Sequence, residues 1–251
     1  MPLKEGIFAF YATGFYYMRY RHEHKYIEGE ADLAGIRSRL GAFMKKDPHV
    51  SEKGFYTVRS LYFDDHHDRF LQENIDGADE REKWRIRIYD ANDGYISLEQ
   101  KLRRGDLIAK RTCPIDADAF RGIIKKEFAP PSSAPPLYNL FVKEIKTGLL
   151  HPAVIVEYER TPFVFAGGNT RITIDRNIRS SSDTEAFLSK GPLNARPVLP
   201  SGMNLLEVKY DDLLPGHIAD AIEHGRMRRE PFSKYYLARK FPYNGLRSGF
   251  Y

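Results

Sequence analysis

The sequence predicts an α+β fold: an antiparallel β-barrel of about eight strands with helices packed on the outside. Three observations carry this. About seven segments spread along the chain alternate charged and apolar residues with the period of a strand. Three or four helix-like segments interrupt them. The charged faces, moreover, mix Lys, Arg and Glu instead of the Ser, Thr and Asn of an ordinary wet face. Cations confined together repel by roughly 4 kcal/mol per pair at about 4 Å and an effective dielectric of about 20, so such faces need interleaved carboxylates or a bound anion if they meet. A closed sheet brings them into one interior with room for side chains or one small ligand. Taken strand by strand, the competing reading is a solvated face on an open sheet.

Composition sets the bounds. The 251 residues are read as one domain, 1–251, with enough apolar residues, 42%, for a real core. The 16 Tyr and 16 Phe favour strands. A net charge of +5 suits an anionic partner without choosing its kind, but 39 basic residues beside 34 acidic ones are not the balance of a nucleic-acid arm, so no nucleic acid is expected. The single cysteine, Cys113, excludes an intramolecular disulfide and a Cys-based zinc site, and a cytoplasmic setting is expected.

In chain order, Gly6–Met18 is aromatic and too short to span a bilayer, and reads as a first strand or a packing segment. Tyr20–Tyr26 alternates Arg21, Glu23 and Lys25 against His22, His24 and Tyr26, which gives the two histidines packing or surface roles. Ala31–Lys46 carries Leu33, Ile36, Leu40 and Phe43 at helical spacing, ended by Asp47-Pro48. Tyr56–Phe63 is a strand, with Asp64-Asp65 opening a turn and a short helix or loop over Asp68–Asn74. Lys83–Lys101 reads as a hairpin turning at Asn92-Asp93-Gly94. It puts Lys83, Arg85 and Arg87 opposite Trp84, Ile86 and Ile88, with Glu99 and Lys101 on one face of the return strand. Leu107–Cys113 returns as another strand, whose register decides between Lys110 and Arg111 for the charged interior.

Asp116–Lys126 and Leu137–Leu149 look helical, joined through the Pro-rich Pro130–Pro136. Ala153–Arg160 is a strand with Glu157 and Glu159 on its charged side. Thr170–Asp175 sets Arg171, Thr173 and Asp175 against Ile172 and Ile174, and Asn204–Tyr210 sets Glu207 and Lys209 against Leu206 and Val208. Leu214–His224 is a helix and the chain after Phe241 is loosely held. Asp64, Asp65 and Asp175 read as turn or strand-end residues. Glu23, Glu157, Glu159 and Glu207 are left as the oxygen ligands that Mg2+ or Mn2+ prefers beside phosphate.

Taken together and in order, RHEHKY at Arg21–Tyr26, SLYFDD at Ser60–Asp65, KWRIRIY at Lys83–Tyr89, LEQK at Leu98–Lys101, the EYER and RITID strands, LLEVKY at Leu205–Tyr210 and FSKYYLAR at Phe232–Arg239 resemble the VTC domain, the polyphosphate-polymerase domain of the CYTH or triphosphate tunnel metalloenzyme superfamily. The resemblance implies an antiparallel tunnel with a basic lining. Carried over position by position, it implies that Lys25, Arg85, Arg87, Lys101, Lys110, Arg171, Lys209 and Lys234 bind phosphate and that Ser233 donates a hydrogen bond. It makes Glu207 the principal ligand of Mn2+ or Mg2+, assisted by Glu23, and gives Arg85, Arg87, Lys101 and Glu207 the catalytic work. Lys209 is equally readable as a structural partner of Glu207.

The implied activity is transfer of the γ-phosphoryl group of ATP to an inorganic polyphosphate chain. Arg21 stands where the superfamily's E-x-E-x-K strand has its first acid, which argues against two-carboxylate activation of water. A metal-dependent tri- or polyphosphatase and a non-catalytic polyphosphate-binding module are the alternatives. With no membrane-spanning segment in the sequence, passage of a polymer across a membrane would need a separate membrane partner.

Overall fold

The computed structural model describes residues 8–11, 14–17, 19–48, 50–128, 134–225 and 227–240, the first two ranges as backbone only. Two short strands, β1 (Phe8–Tyr11) and β2 (Gly14–Tyr17), pair with each other apart from the main sheet. Strand β3 (Arg21–Gly29) leads into helix α1 (Glu30–Leu40) and the two-residue β4 (Lys45–Lys46). Strand β5 (Tyr56–Asp64), helix α2 (Arg69–Ile75) and strands β6 (Glu80–Tyr89), β7 (Asn92–Arg104) and β8 (Leu107–Ile115) follow. Helices α3 (Ala117–Lys125) and α4 (Pro136–Thr147) come next, then β9 (His151–Phe165) and β10 (Thr170–Ser181). The described chain finishes with β11 (Arg196–Pro197), β12 (Met203–Tyr210), α5 (Gly216–Ile222) and α6 (Lys234–Lys240).

Eight of these strands close a ring. The hydrogen-bonded order β10-β12-β3-β8-β7-β6-β5-β9 returns to β10 through the long β9–β10 pairing, and every neighbour is antiparallel. The narrowest seam is β3–β8, where only Arg21↔Ile108 and His22↔Leu107 pair. Because side chains alternate across a strand, closure gives the ring one inner and one outer face.

The outer face is largely apolar where the helices cover it. Trp84 on β6 and Phe141 on α4, fully buried, lie 5.1 Å apart between ring centroids; burying each is worth about 1.5–3 kcal/mol. On the other side, Leu33, Ile36 and Leu40 of α1 and Ile218 of α5 pack over Ile172, Ile174, Leu206 and Val208. The helical spacing in α1 and the strand alternation in β10 and β12 are thus two halves of one core. His22 and His24 sit on this outer side against Tyr210, the first stacked at 5.0 Å and the second edge-on at 5.3 Å, which is the packing role expected of them.

Four expectations are corrected. The first helix stops at Leu40, where the Gly41 N–H bonds the Arg37 carbonyl and the Ala42 N–H turns back to the Arg39 carbonyl; Lys45–Lys46 then pair with β9. The hairpin turns at Asp90-Ala91, both at positive φ, with Tyr89 opposite Asn92, so Asn92-Asp93-Gly94 opens the return strand. The Asp90 carboxylate accepts the Thr57 N–H at 2.7 Å, which explains why the turn forms one step earlier. In β9, Glu157 faces outward, where Arg59 (2.7 Å) and Arg179 (3.1 Å) pair with it, while Tyr158 and Arg160 face inward; Glu159 shares the outward parity of Glu157. Asp175 is no strand end: it lies fully buried within β10. Asp64 does serve the turn, accepting the Phe70 and Leu71 N–H groups at the start of α2 and the Tyr235 hydroxyl. The residues after Phe241 and most of Pro130–Pro136 lie outside the described residues.

Candidate anion-binding tunnel

The inner face of the ring encloses a cavity of about 400 Å³. Every residue that the family resemblance assigns to the site lines it, Glu157 and Glu159 having been turned outward: Lys25 and Glu23 from β3, Arg85 and Arg87 from β6, Lys101 from β7, Lys110 from β8, Arg171 from β10, Glu207 and Lys209 from β12, and Ser233 and Lys234 at the start of α6. Residues more than two hundred positions apart converge because alternate positions of each strand share the inner face. The β7–β8 register, Lys101↔Lys110 and Gln100↔Arg111, puts Lys110 inside and Arg111 outside.

The interior is a mesh of ion pairs with three centres: Glu207 together with Asp175, which share Arg160 and Lys234, then Glu23, then Glu99. Glu207 accepts from Lys209 at 2.5 Å and Lys234 at 2.7 Å, with Arg160 at 3.4 Å. Burial alone would raise its pKa; these three cations outweigh burial and hold it well below the usual carboxylate range. Asp175 is clasped by the Arg160 guanidinium through two 2.7 Å bonds and by Lys234 at 2.6 Å. Glu23 accepts from Lys101 at 2.6 Å, with Lys25 at 3.2 Å and Lys209 at 3.5 Å; against burial, those lysines again keep it ionised.

The third centre is Glu99, only 1% exposed. It takes Arg85 (2.7 and 2.6 Å) and Lys110 (2.9 Å), and Arg87 stands 3.7 Å away. Tyr62 accepts a further bond from Arg85 at 3.1 Å, and Ser60 and Tyr158 bond Arg87. These contacts fix the two guanidinium planes with donors left over, the geometry suited to phosphate oxygens.

The cations nearer one mouth are less well matched. Among the described residues Lys83 bonds only neutral groups, Asn74 at 2.9 Å and Ser233 at 2.8 Å; burial and the adjacent Lys25, Lys101 and Arg81 push its pKa well down. Burial also lowers Lys101 to about 7 despite Glu23. Lys25 spends a bond on the Phe232 carbonyl at 2.8 Å. The Ser233 hydroxyl is acceptor to both Lys83 and the Tyr236 N–H, which leaves its own proton to donate.

Glu99, Arg160, Asp175, Lys83 and the tyrosines Tyr62 and Tyr158 were not singled out for the site. Parity puts Glu99 and Lys83 on the charged face with Lys101 and Arg85, but no motif gave either a role in the site. Arg160 and Asp175 need the β9–β10 register, in which they stand opposite each other, and nothing local in the sequence gives that.

Glu207 and Glu23 fit a hard divalent cation. The Lys209 ammonium lies within reach of both carboxylates at once, so a cation of higher charge at that point would meet oxygen donors from two strands, with room in the cavity for phosphate oxygens and water. A different set of ligand-type atoms, from Glu28, Asp32 and His224, lies within 4.8 Å of one another and contains neither residue. It sits away from the tunnel, Glu28 having the outward parity of β3.

The family model described as the VTC domain matches residues 20–243. Among curated proteins none matches. Solved structures similar to this chain include a proposed adenylate cyclase from Vibrio parahaemolyticus, with 10% identity and a TM-score of 0.48 over 87% of this chain and 97% of that one. One from Bacillus halodurans has 11% identity and a TM-score of 0.47 over 81% and 86%. The Mimivirus capping enzyme triphosphatase has 12% identity and a TM-score of 0.35 over 78% and 82%. No helix among the described residues is long and apolar enough to cross a membrane.

Proposed function

Because this chain belongs to the VTC domain family, we propose that it transfers the γ-phosphoryl group of ATP to the end of an inorganic polyphosphate chain inside the tunnel, acting as a phosphotransferase in the cytoplasm. The observation that supports this best is the convergence of cations from eight elements on one cavity whose carboxylates are already ion-paired. Such an interior has cationic donors in excess, and a chain of phosphates answers that excess along its length.

Phosphoryl transfer asks the protein mainly for positioning and charge neutralisation. In this reading Arg85 and Arg87, held by Glu99, Tyr62 and Ser60, grip the donor phosphates. Lys101, Lys110, Lys25 and Ser233 bind the acceptor chain, and Arg171, Lys209 and Lys234 complete the wall. A terminal oxygen of the acceptor attacks the γ-phosphorus, the bond to the bridging β-oxygen breaks, and ADP leaves with that oxygen's electrons. No Ser or Cys nucleophile is required. Mn2+ or Mg2+ at Glu207 and Glu23 would neutralise charge on the transferring phosphoryl oxygens. Delivery of the polymer across a membrane is left to a separate membrane partner.

The test is incubation with ATP and Mn2+ or Mg2+, read by phosphorus NMR, on the wild type and an Arg85→Ala/Arg87→Ala double variant. Resonances of interior chain phosphates, absent in the variant, are expected. Free phosphate alone would make the protein a tri- or polyphosphatase. Binding without turnover would make it a polyphosphate-binding module.

A further inference from the structure

Along the inner face of β6 the side chains run Arg81, Lys83, Arg85, Arg87 and then Tyr89, the last residue before the turn. A row of cations thus ends in an aromatic ring. Successive inward positions of a strand lie about 7 Å apart, so Tyr89 stands roughly 20 Å along the strand from Lys83 but only one step beyond Arg87. The Lys83 end meets the start of α6, where the Ser233 hydroxyl accepts from Lys83 at 2.8 Å. Tyr89 belongs to the opposite mouth, with Tyr56 at the start of β5 and Arg171 at the start of β10.

The Tyr89 ring lies 5.6 Å from that of Tyr56, edge to face, and 6.4 Å from that of Tyr95, within 29° of parallel. Tyr56 is buried, and its hydroxyl accepts a hydrogen bond from Arg171 at 3.2 Å. Tyr95 is different: it is 53% exposed. Across the hairpin Tyr89 pairs with Asn92 and Arg87 with Ser97, so Tyr95 lies in the irregular stretch between these pairs, outside the regular ladder. An exposed ring beside a partly buried one, at the rim of a cavity lined by guanidinium groups, joins two chemistries at one entrance. An inorganic anion uses only the cations. A nucleotide uses both.

We propose that Tyr89 and Tyr95 form the base site of the donor: the purine of ATP stacks on these rings at the mouth, and its triphosphate enters the tunnel past Arg171 and Arg87 to bring the γ-phosphate to Arg85. The proposal rests on the reading of the tunnel as an ATP-dependent polymerase and adds the donor's orientation. From Tyr89 to Arg85 is about 13 Å along the strand, a span that suits a nucleoside triphosphate from base to γ-phosphorus. The acceptor chain then approaches from the Lys83 and Ser233 side, and the two phosphate chains meet end to end, as in-line displacement at the γ-phosphorus requires. Stacking is tolerant of base identity because every base has a π-face, so GTP is bound like ATP. Inorganic tripolyphosphate lacks the contact altogether.

The experiment measures binding of ATP and of tripolyphosphate by calorimetry and follows the adenine H2 and H8 resonances of ATP by proton NMR. It compares the wild type with Tyr95→Ala, Tyr89→Leu and Tyr95→Phe. In the wild type both resonances should move upfield on binding, the mark of a base lying over an aromatic ring. Tyr95→Ala and Tyr89→Leu should each lose about tenfold of ATP affinity, the scale of one base–aromatic stack, while tripolyphosphate affinity stays within about twofold. Their upfield shifts should shrink as well. Tyr95→Phe keeps the ring and should behave as the wild type. Equal ATP affinity and equal shifts in the wild type and every variant would overturn the base site and leave the tunnel reading intact. Equal loss for both ligands would give the tyrosines to the fold and would also overturn it. A wild type that bound ATP through these rings but not tripolyphosphate would overturn the tunnel reading and leave the base site.

Discussion

Lys209 and Glu207, two residues apart on the inner face of one strand, form a 2.5 Å ion pair, and the same ammonium stands 3.5 Å from Glu23. One lysine thus bridges the carboxylates expected to hold the metal. Loading a divalent cation there must move Lys209 toward the phosphates, so cation and polyanion should bind with positive coupling. Glu207→Gln removes both the ligand and the anchor. Turnover of ATP should fall at least about 100-fold, and unfolding free energy by about 3–5 kcal/mol, since Lys209 and Lys234 lose a buried counter-charge. Polyphosphate binding should survive at low temperature. Retained turnover in a steady-state assay would remove Glu207 from the chemistry.

Glu99 invites a different expectation. It is the shared counter-ion of Arg85, Arg87 and Lys110, and Glu99→Gln leaves three cations facing one another. The variant should melt well below the wild type without ligand, and tripolyphosphate should raise its melting temperature by more than it raises that of the wild type, because the anion replaces the missing carboxylate. Equal ligand-induced shifts would show that phosphate does not bind at these arginines.

Much of this site was legible because strand alternation is rigid: once Arg85 faces inward, Lys83, Arg87 and, across the pairing, Glu99 and Lys101 must follow. Closure was legible from charge, since the inward cations of β3, β6, β10 and β12 make sense only together. β9 broke the rule that charged means inward. Glu157 finds Arg59 and Arg179 on the outer side, while the inward position carries Tyr158, polar only at its hydroxyl. The Arg160–Asp175–Lys234 cluster joins three distant segments, and its register is set by tertiary pairing that no local pattern encodes. The hairpin turn was misplaced because Asn-Asp-Gly is the stronger turn sequence, yet the Asp90 bond to Thr57 and the pairing of Tyr89 with Asn92 decide the matter.

Lys101 gives a pH signature. Burial brings its pKa to about 7, against Glu23 and with Lys25 and Lys209 adding to the depression. A phosphate anion favours the charged lysine, so above pH 7 binding must take up a proton. Affinity for tripolyphosphate should fall as pH rises from 7 to 9, by at most about tenfold per unit for one proton. Lys101→Arg, which stays charged, should flatten that slope; any residual slope belongs to Lys83, lowered by burial and its cationic neighbours. Calorimetry in buffers of different ionisation enthalpy counts the protons. An unchanged slope and proton count in Lys101→Arg would show that Lys101 is not the titrating group.

The hairpin turn offers a test of the fold itself. Ala91 holds φ 50, a left-handed conformation that its Cβ disfavours by roughly 1–2 kcal/mol, whereas glycine adopts it freely. Asp90, also at positive φ, supplies the bond to Thr57 and should be kept. Ala91→Gly turns the loop into Asp-Gly, the sequence suited to a two-residue hairpin with both positions left-handed. It should therefore stabilise the protein by about 1 kcal/mol, after glycine's greater freedom in the unfolded chain is subtracted. Were the turn at Asn92-Asp93-Gly94, Ala91 would end an ordinary strand, and the same substitution would destabilise by about 0.5–1 kcal/mol. Chemical denaturation of the two proteins reads the sign directly, and with it the position of the turn.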